Sequence, residues 1–234
     1  MPVDDAGHGV VGVGDSFMNG LGLPLGGVSC TSWGSWLAWA LSTCFTRLAV
    51  DGATCEHALR DQMPLLQGRY RLGAVWLGAN DIARLEPEAF ERRLTALSVA
   101  MSPHCHTIAL ATLPAALTAL GASQRGHAGA RQELNARVRS VAAATGAVLV
   151  ELEGALDGTW LMAPDHEHPT ALGQLTAAHA AAAALDAHGM HFARHLPPVQ
   201  HLQPTPAERR LYWPDPPSRL RRAVAAVRRQ LGGR

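Results

Sequence analysis

"VVGVGDSFMNG", residues 10–20, passes from an apolar run to a polar break within two positions. Val10, Val11 and Val13 alternate with glycine and leave no polar residue on either face, the pattern of a strand covered on both sides in a parallel sheet. The run ends on Gly14-Asp15-Ser16, so a hydroxyl stands where the chain leaves the sheet. Four further apolar runs read the same way: "RLAV" (47–50), "GAVWLG" (73–78), "TIALATLP" (107–114) and "AVLVEL" (147–152). Helical patterns separate them. Residues 33–46 place Trp33, Trp36, Leu37 and Ala40 on one face, a second helix starts near Thr54, and 86–101 carries Pro87 and acids in its first turn. Residues 130–144 and an Ala-rich stretch at about 170–187 complete the alternation. Strands alternating with helices predict an α/β fold: three layers, α/β/α, around a five-stranded, mostly parallel sheet. Such sheets bind ligands beyond the carboxyl ends of their strands, which directs attention to the residues that follow each run.

Composition sets outer bounds. The 234 residues are 47% hydrophobic and 5% aromatic, which suits an Ala/Leu/Val-packed core and excludes a disordered chain. The net charge of +1 gives no electrostatic argument for a nucleic-acid partner, and none is expected. All 20 basic residues are arginine, so Schiff-base and P-loop lysine chemistry is excluded. Cys30, Cys44, Cys55 and Cys105 form no Cys-x-x-Cys pair and read as free thiols. "MPVDDAGHG" lacks the basic start of a secretory leader, and the expectation is a cytoplasmic protein. No run of 18 apolar residues exists, so no membrane-spanning helix is expected.

Four sets of residues follow strands and would meet at one rim: "GDSF" at 14–17, "DGAT" at 51–54, "GAND" at 78–81 and "DHEHP" at 165–169. In that order and context the chain resembles the SGNH (GDSL-type) hydrolases over roughly residues 8–187. The resemblance implies a flavodoxin-like sheet and a serine esterase or acyl hydrolase, with no cofactor and no metal. It implies Ser16 as nucleophile, His168 as its base and Asp165 as the carboxylate that orients the imidazole. The backbone N–H groups of Ser16 and Gly52 and the side-chain amide of Asn80 would form the oxyanion hole, and Asp15 would brace the loop. His166 lies beside Asp165, but the family pattern selects the histidine before proline. Two points stand apart: Phe17 occupies the commoner leucine position, and the second block offers only Gly52 as its glycine.

Physical chemistry fits these roles. A serine hydroxyl needs a base within hydrogen-bond reach, and the base needs an acceptor for its second ring N–H. An Asp-x-x-His spacing on one turn presents both side chains to the same side, with Pro169 opening the final helix. The implied substrate is a small carboxylic ester or thioester. An acyltransferase, with an alcohol or amine replacing water, uses the same groups; a non-catalytic binding module is the third reading.

The rest of the chain adds less. His104 and His106 share a strand face without a third ligand at a recognisable spacing. Trp33, Trp36 and Trp39 have core spacing, with a pocket wall as the alternative. Residues 18–30 and 116–130 read as flexible stretches beside the site. A catalytic domain over 1–190 is expected to be followed by an extension, 191–234, extended and Pro-rich at first. It ends in a basic amphipathic helix over 217–231, with Leu220, Val224, Val227 and Leu231 among arginines. Docking on the protein itself, contact with an anionic membrane surface or a partner protein, and self-association are the expectations for that helix.

Overall fold

The computed structural model describes residues 7–82, 86–117, 124–201 and 203–213. Its centre is a five-stranded sheet in the order β2-β1-β3-β4-β5, every neighbouring pair parallel. The strands are β1 (Val10–Gly14), β2 (Phe45–Arg47), β3 (Tyr70–Trp76), β4 (Cys105–Ala111) and β5 (Val148–Val150). The helices are α1 (Ser16–Asn19), α2 (Trp33–Ala40), α3 (Cys55–His57), α4 (Pro87–Met101), α5 (Gln124–Thr145), α6 (Ala171–Ala187) and α7 (Pro206–Tyr212).

Burial explains the placement of the apolar runs. All five residues of β1 are buried, as are the last five of β3, because helices cover both faces of the sheet. Helices α2 and α6 pack together on one face; α4 packs against α5 and α3 on the other. Ion pairs of Arg137 with Glu88 and Glu91 tie α4 to α5 at the surface. The α/β/α layering read from the alternation is present, with all-parallel strands.

The order 2-1-3-4-5 has a consequence for the site. From β1 the chain goes outward to β2 and then returns past β1 to β3, so the winding reverses between β1 and β3. Their carboxyl ends flank the crevice where open α/β sheets hold ligands.

Several boundaries differ from the sequence expectation. The second strand is Phe45–Arg47 rather than 47–50, although Leu48 and Val50 N–H still bond the carbonyls of Gly12 and Gly14. Helix α2 stops at Ala40, and Ser42 (φ 55°) turns the chain. Beyond Thr54 the helix is short and broken: α3 widens into a π-turn at Ala58–Gln62 and tightens into a 3-10 turn at Met63–Leu65, where Pro64 removes an N–H. Residues 124–130, read as part of a flexible stretch, are the start of α5.

The final long helix also starts differently. Thr170 caps α6, its Oγ1 accepting from Gly173 N at 3.2 Å, so Pro169 precedes the helix instead of opening it. After α6 the chain is not simply extended. α7 forms with a capping box between Thr205 and Glu208 and docks on the rest of the fold, where Glu208 accepts from Gly26 N at 3.1 Å and the Arg209 guanidinium lies 4.8 Å over the Trp160 ring. The basic helix expected at 217–231 lies outside the described residues. Among the described residues no helix is long and apolar enough to cross a membrane.

Candidate active site

The strand-end residues are brought to one rim, and the local reason starts at Gly14. A Cβ there would stand 2.4 Å from the Trp76 carbonyl, so only glycine lets β1 and β3 run this close at their ends. Asp15 then leaves the ladder in extended conformation and caps α1, its Oδ1 accepting from Phe17 N at 3.0 Å. Ser16 is the first residue of that helix, so its N–H has no acceptor inside the helix. Its side chain is all but buried.

Ser16 Oγ lies 3.0 Å from His168 Nε2. His168 Nδ1 lies 2.9 Å from Asp165 Oδ2. A carboxylate on Nδ1 fixes that nitrogen as the donor, which leaves Nε2 as the acceptor for the serine hydroxyl. Asp165 Oδ1 meanwhile accepts from the backbone of Glu167 (2.9 Å) and His168 (3.0 Å). Partial burial pushes the Asp165 carboxyl up, but those backbone bonds and the His168 ring outweigh it and hold it below its ordinary value.

The turn carrying these groups is not helical. Residues 162–169 form a hairpin-like loop, closed by a bridge between Met162 and Pro169 and by Ala163 N donating to His168 O at 2.8 Å. His166 sits at its tip, exposed and with φ of 58°, away from the serine-bound imidazole. Phe17 backs the imidazole edge-on, ring centroids 6.0 Å apart, and itself rests on Trp76 at 4.8 Å. The aromatic ring in the usual leucine position is therefore a wall behind the His168 ring.

Asn80 follows β3 across the crevice. Its Nδ2 donates to the Ala53 carbonyl at 3.1 Å and to Asp15 Oδ2 at 3.3 Å. Gly52 is exposed at φ of 76°, in a turn closed by Ala53 N on Val50 O and held to α1 by Asn19 Nδ2 on Asp51 Oδ1 at 2.7 Å. Asp15 is wholly buried. Burial pushes its carboxyl up to about 8, against the Phe17 bond that lowers it and with the nearby Asp81 carboxylate adding to the rise. Asp81, also buried, accepts from Cys55 N at 3.2 and 3.3 Å.

Other candidates lie elsewhere. Trp33 is in the core, while Trp39 is partly exposed beneath Arg194. His104 bonds the Gly68 carbonyl at the opposite, amino-terminal rim. A cleft of about 810 Å³ opens on that rim, lined by His8, Arg71, His106 and His188 among others; it contains none of the reactive groups just described. Among the described residues no three His, Cys, Asp or Glu side chains gather to hold a metal.

Sequence reasoning passed over two buried glutamines. Gln62 bonds both the N–H and the carbonyl of Gly14, and Gln174 bridges Phe17 O and Trp33 N. For Gln174 a signal existed: it is the single amide in the Ala/Leu-rich start of α6.

The model of the GDSL-like Lipase/Acylhydrolase family matches residues 13–175. The chain belongs to that family. As a GDSL-type protein it is an ester hydrolase. Its fold is similar to that of solved relatives of low identity. One is an extracellular lipase from Streptomyces rimosus (19% identical, 77% of this chain and 99% of that one, TM-score 0.55). Another is TesA (20% identical, 76% and 98%, TM-score 0.61). A third is the acetylxylan esterase Axe2 from Geobacillus stearothermophilus (17% identical, 76% and 94%, TM-score 0.56). Among curated proteins there is no sequence match. The GDSL match ends inside α6, so α7 lies beyond it.

Proposed function

We propose that this GDSL hydrolase works through a Ser16–His168–Asp165 triad and an acyl-enzyme intermediate. The observation that carries the reading is the pair of contacts on the His168 ring, 3.0 Å to Ser16 Oγ and 2.9 Å to Asp165 Oδ2. As Ser16 Oγ bonds the ester carbonyl carbon, its proton passes to His168 Nε2, and Asp165 stabilises the imidazolium. That proton then goes to the leaving alkoxide or thiolate as the carbonyl re-forms. Water, losing a proton to His168, attacks the acyl-serine, and His168 returns that proton to Ser16 Oγ as the acid leaves.

The developing oxyanion needs donors already in position. Ser16 N–H, Gly52 N–H and Asn80 Nδ2 border the same crevice and take that role in this reading. Asn80 has two amide protons, committed at rest to Ala53 O and Asp15 Oδ2. The longer bond, to Asp15, is the one to be given up. A neutral carboxyl accepts more weakly than a carboxylate, so the raised value of Asp15 eases that release.

The substrate is a small ester or thioester. Ser16→Ala tests the assignment: p-nitrophenyl acetate turnover should fall by at least 1,000-fold with the melting temperature kept, and turnover near the parent's would remove Ser16 from the role. Adding alcohols or amines to the same assay separates hydrolysis from acyl transfer, since a transferase partitions product toward the acceptor.

A further inference from the structure

Helix α1 is four residues long, Ser16–Asn19, too short to hold its own shape. The position of Ser16 must come from what grips the peptides around it. On the β2 side of β1 the ladder is thinning: strand pairing ends at Gly12 with Arg47, and beyond it Val50 N still bonds Gly14 O at 3.1 Å. Gln62 takes over there. Its Oε1 accepts from Gly14 N at 3.0 Å and its Nε2 donates to Gly14 O at 2.8 Å, a side-chain copy of a strand partner. Gln62 is 1% exposed and is aimed at Gly14 from the π-turn Ala58–Gln62, a local widening that turns a side chain away from its regular helical direction.

Beyond Ser16 a second amide does the matching work. Gln174 Nε2 donates to Phe17 O at 2.8 Å, and its Oε1 accepts from Trp33 N at 3.0 Å, the first N–H of α2. Gln174 is fully buried and sits in the first turn of α6, the helix that begins just after His168. Ala171 N also donates to Leu23 O at 2.8 Å, in the loop that follows α1. The helix that carries on from the base is thus fastened to the turn that carries the hydroxyl.

We propose that Gln62 and Gln174 are positioning residues that hold Ser16 at its distance from His168 by gripping the peptides on either side of it. Neither touches substrate. The inference rests on Ser16 being the nucleophile. Removing these buried amides takes the acceptor from Gly14 N and from Trp33 N and one of two donors from Gly14 O and Phe17 O, which keep Val50 N and Gly20 N, so the turn shifts in their absence. A displacement of about 1 Å at a reacting centre is enough to cost on the order of 100-fold in rate.

The experiment compares Gln62→Met and Gln174→Met, close in volume and unable to form the paired bonds, with the parent and with Val141→Ala, a core truncation on the buried face of α5, near its C-terminal end. Turnover of p-nitrophenyl acetate and the rate of fluorophosphonate labelling are measured well below each melting temperature. The expected result is at least a tenfold fall in kcat and in labelling rate for both glutamine variants, with KM within threefold, while Val141→Ala loses stability and keeps kcat. Gln62→Glu supplies a rescue. Its protonated carboxyl reproduces both bonds to Gly14, so its rate relative to the parent should climb as pH falls from 8 to 5. It also serves if Gln62→Met does not fold. Glutamine variants whose kcat stays within twofold of the parent, or a Gln62→Glu ratio flat with pH, would overturn the proposal. Parent protein that is not labelled at Ser16 would overturn it differently, by removing the nucleophile itself.

Discussion

Replacing Asp15 by asparagine should change how stability depends on pH, and the structure gives both sign and size. Asp15 is wholly buried, and burial lifts its carboxyl from an ordinary 3.8 to about 8. Between those values the folded chain binds a proton that the unfolded chain has released. Stability therefore falls as pH rises through this window and levels off above about 8. At about 1.4 kcal/mol per pH unit, the whole window is worth on the order of 6 kcal/mol. Asparagine keeps an acceptor for Phe17 N and cannot ionise, so Asp15→Asn removes this slope. It also sets an N–H₂ group towards Asn80 Nδ2, a cost of about 1 kcal/mol that does not vary with pH. The variant should be no more stable than the parent near pH 4 and clearly more stable at pH 8, the curves crossing between. For a chain of this length the difference corresponds to roughly 3–5 °C of melting temperature per pH unit. Urea unfolding of both proteins at pH 4, 5, 6, 7 and 8 measures it. The difference between the proteins isolates Asp15 and the groups coupled to it, such as Asp81, since groups remote from it titrate equally in both. Parallel curves from pH 5 to 8 would refute the reasoning, because they would mean that Asp15 ionises in the fold as it does in the open chain.

Three further outcomes are expected. Gly14→Ala drives a Cβ to 2.4 Å from the Trp76 carbonyl and should cost about 3 kcal/mol or more, read from the denaturant midpoint; a cost under about 1 kcal/mol would show that the β1–β3 approach is soft. Gly52→Ala meets no atom within 4 Å but must hold φ of 76°, so it should lose about 1–2 kcal/mol or relax the turn and slow kcat, while Gly52→Asn, more at ease in that conformation, keeps more of both. Alanine and asparagine variants of equal activity would argue against the turn conformation as the cause. Thiol titration of native protein at pH 8 should find one fast group, the exposed Cys44: burial pushes Cys30 and Cys105 up to about 12 and carries Cys55 well above its ordinary value. A second fast thiol, located by mass spectrometry, would contradict that ordering.

The comparison of sequence with structure separates two kinds of information. Apolar runs locate strands because burial on both faces leaves a mark at every position, as in Val10–Gly14. The strand-end blocks locate Ser16, Gly52, Asn80, Asp165 and His168 because those residues are chemically distinctive and recur in order. Edges are harder to read. The second strand starts at Phe45 because pairing with β1 decides it, and pairing is a property of two segments at once. The Asp-x-x-His spacing puts both side chains on one turn, and backbone bonds to Asp165 Oδ1 with the left-handed His166 make that turn a loop, a detail the spacing does not carry. Gln62 was illegible for another reason. A π-turn aims it at Gly14, and a single widened turn leaves no trace in the period of the side chains.

The docking of α7 bears on where this protein can be cut. A minimal version ended at the close of α6 would look complete by the extent of the GDSL match. It would nonetheless strip the Glu208 carboxylate from the Gly26 amide and the Arg209 cation from the face of Trp160. Those two anchor points belong to the separate loops that follow the serine and precede the histidine. Shortened versions intended for crystallisation or display should therefore run through at least Trp213.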